Sequence, residues 1–129
     1  MTKLVINLPP VTKKNSQQII TVKGRPMIIP SKKYKEYEKD ASWFLNWEEE
    51  PISDPVDVRC MYYMPTKRRV DLVNLLESTL DVLVKCGVLE DDNSNIVVSH
   101  DGSRVLYDKE NPRTEIFITA VGEKGLPFE

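Results

Sequence analysis

"VDLVNLLESTLDVLVKCGVLEDDN", Val70–Asn93, is the stretch on which the fold turns. Leu72, Val73, Leu75, Leu76, Leu80, Val82, Leu83 and Val84 predict a helix over 70–86, and Gly87 is placed to end it in the left-handed conformation. At about 100° per residue, Asp71, Asn74, Ser78, Asp81 and Lys85 fall in a wedge roughly 80° wide, with mainly apolar side chains around the rest. A purely solubilising face is usually wider, so this helix reads as deeply packed with a narrow polar stripe. Six acids lie in or just after it: Asp71, Glu77, Asp81, Glu90, Asp91 and Asp92.

Upstream, "KLVINL" alternates as a first strand, and "PPVTKKNSQQ" reads as a loop. "IITVKGRPMII" has two β-rich arms around Lys23-Gly24-Arg25-Pro26 and predicts a hairpin. Ser31 caps "KKYKEYEKDASWFLNW", a helix with Tyr34, Tyr37, Ala41, Phe44 and Leu45 on its apolar stripe. "VDVRCMYYMP" is a strand, and "TKRR" is a basic loop leading into the central helix. Downstream, "NIVVSH" and "RVLY" read as strands around the Asp101-Gly102 turn, and "TEIFITAV" as a last strand. The order β-β-β-α-β-α-β-β-β predicts an α/β (α+β) fold: a single domain over 1–122 with a small mixed β-sheet packed by two main helices. Residues 123–129 read as a loose tail.

The 129 residues, 40% apolar and 29% charged, suit one globular domain rather than a disordered or collagen-like chain. No apolar run approaches the roughly 20 residues needed to span a bilayer, and no secretory leader is visible, so no membrane partner and a cytoplasmic location are expected. Cys60 and Cys86 lack metal-site spacing and read as reduced thiols. The net charge of −2 hides an asymmetry: residues 1–35 carry eight Lys or Arg and no acid, while the remainder carries ten basic and twenty acidic side chains. That basic first quarter fits either phosphate contact or a solvated lysine face.

Taken singly, the acids have local explanations. Asp71 suits a helix N-cap, Asp81 an ion pair with Lys85 four residues on, and "EDDN" an acidic turn. Jointly, a helix-start aspartate, a polar stripe and a consecutive Asp pair supply the hard oxygens that a divalent cation takes. Mg²⁺ on such ligands holds phosphate oxygens and activates water for phosphodiester hydrolysis. Lys67, Arg68 and Arg69 then stand where they can grip phosphates, unless they form only a solvated loop.

"RRVDLVNLLESTLDVLVKCGVLEDDNSNI" resembles the RusA family of crossover-junction endodeoxyribonucleases, common in bacteriophages and prophages. The family pattern R-x-D-[LV]-D-N-x-x-K, then D-x-L, a Gly and an Asp pair is met by Arg69, Asp71, Asn74, Asp81, Leu83, Gly87, Asp91 and Asp92. The resemblance implies a homodimer, dependent on Mg²⁺ with Mn²⁺ able to substitute, that cuts four-way (Holliday) and other branched DNA symmetrically in recombination, repair or phage DNA processing. If the chain is phage-encoded, its location is the bacterial host cytoplasm. The resemblance assigns metal-binding and catalytic roles to Asp71 and Asp92. Val73 stands in place of the family's second aspartate, and Glu77 in place of its lysine. Asp91, Asp81 and Glu77 complete the candidate metal ligands, with Asp91 and Glu77 also counted as catalytic. Lys85, Lys67 or Arg104 can supply the missing positive charge.

The candidate DNA contacts are Lys13, Lys14, Asn15, Lys67, Arg68, Arg69, Asn74, Lys85 and Arg104. Tyr34, Tyr37, Phe44 and Trp47 read as core because of their helical spacing, and His100 as a turn or strand-end residue. Three functions remain on the table. They are a junction nuclease, a branched-DNA-binding protein that has lost hydrolysis through Val73 and Glu77, and an interaction domain whose acids only cap and pair a helix.

Overall fold

The computed structural model describes residues 1–13 and 17–122. Its elements follow the expected order: β1 (Thr2–Ile6), β2 (Gln17–Val22), β3 (Arg25–Pro30), α1 (Lys32–Ala41), β4 (Val56–Met64), α2 (Leu72–Lys85), β5 (Val97–Ser99), β6 (Arg104–Tyr107) and β7 (Arg113–Ala120). The proposed tail lies outside the described residues.

The main sheet runs β1-β7-β4, with β5 and β6 both on the far edge of β4. β7 is antiparallel to β1 and β4, whereas β5 and β6 are parallel to β4, so the sheet is mixed. Alternation along the strands sends Val56, Val58, Cys60 and Tyr62 of β4, and Thr114, Ile116 and Ile118 of β7, inward. These meet Tyr34, Tyr37 and Ala41 of α1 and Leu75, Val82 and Leu83 of α2 in one core. Burial pushes the Cys60 thiol up to about 12, and the burial that does so also keeps it from reagents. On the opposite face, the Arg59 guanidinium stacks 4.4 Å from the Phe117 ring centroid, and that of Arg113 lies 3.8 Å from the Tyr63 centroid. No helix among the described residues is long and apolar enough to cross a membrane.

The Asp101-Gly102 turn does not join a hairpin. β5 pairs with the start of β4, at Val56 and Asp57, and β6 with its end, at Met61–Met64, so both follow one edge in the same direction. The cause lies in β4. The buried Asp57 carboxylate accepts from Ser99 Oγ at 2.6 Å and from the Asp101 N–H at 2.8 Å, and His100 Nδ1 donates to the Val58 carbonyl at 2.7 Å. The turn is thereby fastened along the strand, and His100 serves as a strand-end anchor as its position suggested.

The first helix is shorter than its stripe predicts. α1 ends at Ala41, and the next residues make i→i+3 bonds: Trp43 N–H to the Asp40 carbonyl, Phe44 to Ala41 and Leu45 to Ser42. Winding at about three residues per turn shifts each later side chain around the axis. Leu45 still reaches the core, but Phe44 is left 37% exposed and is not the core residue that a continuous helix would make it.

Candidate active site

The boundaries of α2 are set by local chemistry. The Asp71 carboxylate caps the helix by accepting from the Val73 N–H at 3.1 Å, and Gly87, with φ of 76°, turns the chain out at the other end. Asp71 lines a shallow cavity with Arg69, Val70, Leu72 and Asn74. The polar stripe expected to be visible is buried at its middle, because the loop after β1 crosses it. Ser78 Oγ accepts from the Lys13 N–H at 2.7 Å, and both Asn74 and Ser78 are buried. On the next position, Thr79 Oγ1 bonds the Tyr62 hydroxyl at 2.6 Å and donates to the Leu75 carbonyl. The outward side of α2 instead carries Val73, 68% exposed, and Glu77, which share one face at i and i+4. Ser78→Ala removes the acceptor of a backbone N–H that the loop cannot readily repair. A loss of about 1 kcal/mol is expected, together with faster hydrogen exchange at the Lys13 amide.

At the C-terminal end of α2 an open cleft of about 440 Å³ is lined by Lys13, Glu38, Asp81, Val84, Lys85, Asp91 and Asp92. Of the acids proposed from the sequence, Asp81, Asp91 and Asp92 line this one cleft, together with Glu38 from α1. Lys85 pairs across the helices with Glu38, not with Asp81 on its own helix. Asp81 takes Lys13 Nζ at 3.4 Å instead. The Glu38 pair holds the Lys85 ammonium above its ordinary pKa. Beside these groups the Tyr34 hydroxyl is buried within reach of Glu38, without a well-formed hydrogen bond among the described residues. Burial raises its pKa, and the charges of Glu38 and Asp81 raise it further.

Asp91 and Asp92 are neighbours with opposite tendencies. Asp91 accepts the Asp92 N–H at 2.8 Å and the Asn93 amide at 3.0 Å, and these bonds, the backbone one first, hold its carboxyl below the usual range. Asp92 is pushed up, first by partial desolvation, then by its hydrogen bond with Asp91 and the charges of Asp91 and Asp81.

Asp71 and Asp92 line different cavities. Ten residues of helix separate Asp71 from Asp81, about 15 Å along the axis. Glu77 lines neither cavity. Among the described residues no three His, Cys, Asp or Glu side chains are close enough together to hold a metal ion. The cleft's carboxylates fit a hard divalent cation by donor chemistry, yet one chain by itself does not draw Asp71 to them.

The remaining basic candidates spread along the N-terminal end of α2 and the β6 edge. Lys67 Nζ sits 5.4 Å from the Tyr107 ring centroid, the Arg68 N–H bonds Thr66 Oγ1, and Arg104 is exposed on β6. Lys14 and Asn15 lie outside the described residues.

A profile of the RusA endodeoxyribonuclease family matches residues 7–119 of the 129. The chain belongs to that family. No individual curated protein matches the sequence. RusA membership makes the chain one of a group of endodeoxyribonucleases that resolve Holliday junctions, bind branched DNA and generally depend on divalent metal. The match begins just after β1 and runs from the loop before β2 to within one residue of the end of β7, taking in both cavities. In this RusA protein Glu38 is the residue that sequence reasoning missed. It stands one turn after Tyr34 on α1, at the margin of the apolar stripe, and a helical wheel gives no reason to pick it over Glu36. Only the packing of α1 against α2 turns it toward Asp81 and Lys85.

Proposed function

We propose that this RusA-family chain is a divalent-metal-dependent endonuclease that cuts four-way and other branched DNA as a homodimer, each site joining Asp71 of one chain to the Asp92 cleft of the other. The carrying observation is the placement of the two assigned aspartates in different cavities of one chain. A two-fold axis offers each Asp71 end a partner cleft, and it matches the symmetry of paired cuts in two strands.

In this reading Asp92, with Asp91 or Asp81 of its own cleft and with the partner's Asp71, would hold Mg²⁺ or Mn²⁺, since no three carboxylates gather for it among the described residues of one chain. When bound, the ion polarises the scissile phosphate and lowers the pKa of water beside it. Asp92 would also accept the proton of the attacking water at its carboxylate. Asp91 stays ionised. Lys13 and Lys85 offset the negative charge of the cleft and turn to phosphate oxygens when the backbone enters. Arg68, Arg69 and Lys67 position the strand at the Asp71 end, where Arg matches phosphate geometry. Glu77 lies one turn beyond Val73 on the same face, the side from which the family's second aspartate would act.

The test is a mobile four-way junction incubated with the protein and Mg²⁺. Paired symmetric nicks are expected, with linear duplex of the same length left uncut. Junction binding without cleavage in Mg²⁺ or Mn²⁺ would instead identify a branched-DNA-binding protein disabled by Val73 and Glu77. An absence of salt-sensitive DNA affinity would leave an interaction domain.

A further inference from the structure

The β2–β3 hairpin forms a two-stranded sheet separate from the main one. Lys23 and Gly24 both take positive φ, 51° and 78°, the tight two-residue turn whose twist suits a hairpin. Ile19 faces Ile28 across the strands, and Thr21 faces Pro26 on the same side. All four are exposed, with Ile19 at 73% and Ile28 at 66%. On the other side Val22 and Met27 are exposed as well. A two-stranded hairpin alone in water is marginally stable, and apolar side chains left on it in this way point to a surface that they meet.

Charge identifies that surface. The turn and its flanks present Lys23 and Arg25, the next basic residues are Lys32, Lys33 and Lys35, and the first acid in the chain is Glu36. Lys23 adopts a conformation that asparagine or glycine would adopt more readily, which keeps an ammonium at the turn of the hairpin. Two copies of this hairpin meeting each other would bring like charges together. A polyanion that also exposes flat apolar surface suits it better, and a DNA branch point, where stacking is interrupted, has both properties.

We propose that the β2–β3 hairpin is a DNA arm: Ile19, Ile28 and Pro26 lie against bases opened at the branch point, while Lys23 and Arg25 hold the adjoining phosphates. This rests on the branched-DNA reading above and adds to it a contact that the catalytic cleft does not make. The arm reads interrupted stacking, a feature that linear duplex lacks, and so contributes to the preference for branched DNA.

The experiment uses a four-way junction carrying 2-aminopurine at the branch point, in buffer without divalent metal so that no strand is cut. The full chain is expected to raise the fluorescence several-fold as the base unstacks. Ile19→Ser/Ile28→Ser, two exposed positions whose change leaves the core intact, is expected to lose most of that rise and to narrow the preference for junction over duplex. Lys23→Glu/Arg25→Glu is expected to weaken junction binding at least about tenfold and to reduce the slope of log K against log salt by about 2. Sedimentation of each variant supplies the second readout. If the isoleucine variant unstacks the base as the parent does, the arm is overturned while the branched-DNA reading stands. If that variant instead loses dimer mass, the patch is an interface between copies and the proposal falls. If the parent chain binds no junction, both readings fall together.

Discussion

Asp92→Asn lowers junction cleavage by at least about a thousandfold while leaving junction affinity within about threefold. The magnitude follows from asking one carboxylate both to hold a metal and to accept a proton, where losing a single well-placed electrostatic group costs about 10²–10³ in rate. Affinity is spared because binding is dominated by basic contacts to phosphates, which the substitution leaves in place. Single-turnover cleavage and gel-shift titration on the same junction read the two quantities separately. A rate within tenfold of the parent would remove Asp92 from the reaction.

The same cleft fixes the sign of the pH dependence. In the metal-free protein partial desolvation, then Asp91 and Asp81, raise the Asp92 pKa, and the group must lose its proton to take up a cation, so at subsaturating metal activity is lost as pH falls. Part of the elevation comes from Asp91. In Asp91→Asn the neighbour's charge is gone, the Asp92 pKa falls, and the acid limb of the rate profile moves to lower pH even though the plateau rate drops. If Asp91 acted only as a metal ligand with no influence on Asp92, the plateau would fall and the limb would stay where it was.

These carboxylates show which parts of the molecule local sequence encodes. The start of α2 at Asp71 and its end at Gly87 were legible because capping and a positive φ are settled within a few residues. The element order was legible for the same reason, since each strand carries its own alternation. What one element does to another was not. The wheel marks Asn74 and Ser78 as a polar stripe, but it cannot show that the Lys13 N–H seeks Ser78 and covers them. It pairs Lys85 with Asp81, the nearest acid in sequence, whereas Glu38 reaches it from α1. Asp101-Gly102 is legible as a turn between two strands, but not that the buried Asp57 binds it along β4. Phe44 belonged to the stripe of a helix that tightened and stopped three residues earlier. The family motif has the same limit. It names Asp71 and Asp92 as parts of one centre, and linear order does not say which chain supplies each.

That question has a decisive outcome. Asp71→Asn and Asp92→Asn chains, each inactive alone, are expected to regain nicking activity when mixed. In a heterodimer with composite sites, one site receives both asparagines and the other receives Asp71 from the Asp92→Asn chain and Asp92 from the Asp71→Asn chain. The second site is intact. With free exchange, about half of the dimers in an equal mixture are heterodimers, each with one of two sites working. The mixture should therefore recover about a quarter of the parent's nicking rate, provided that the sites act independently. Its product should be a junction cut in one strand, since the opposing site is dead and paired incision is lost. If instead each chain built its own centre, both sites of every dimer would carry one asparagine and mixing would restore nothing. The recovered rate should also vanish when the chains are mixed below the concentration at which the dimer forms, which ties the metal site to the interface and not to slow reversion of either variant.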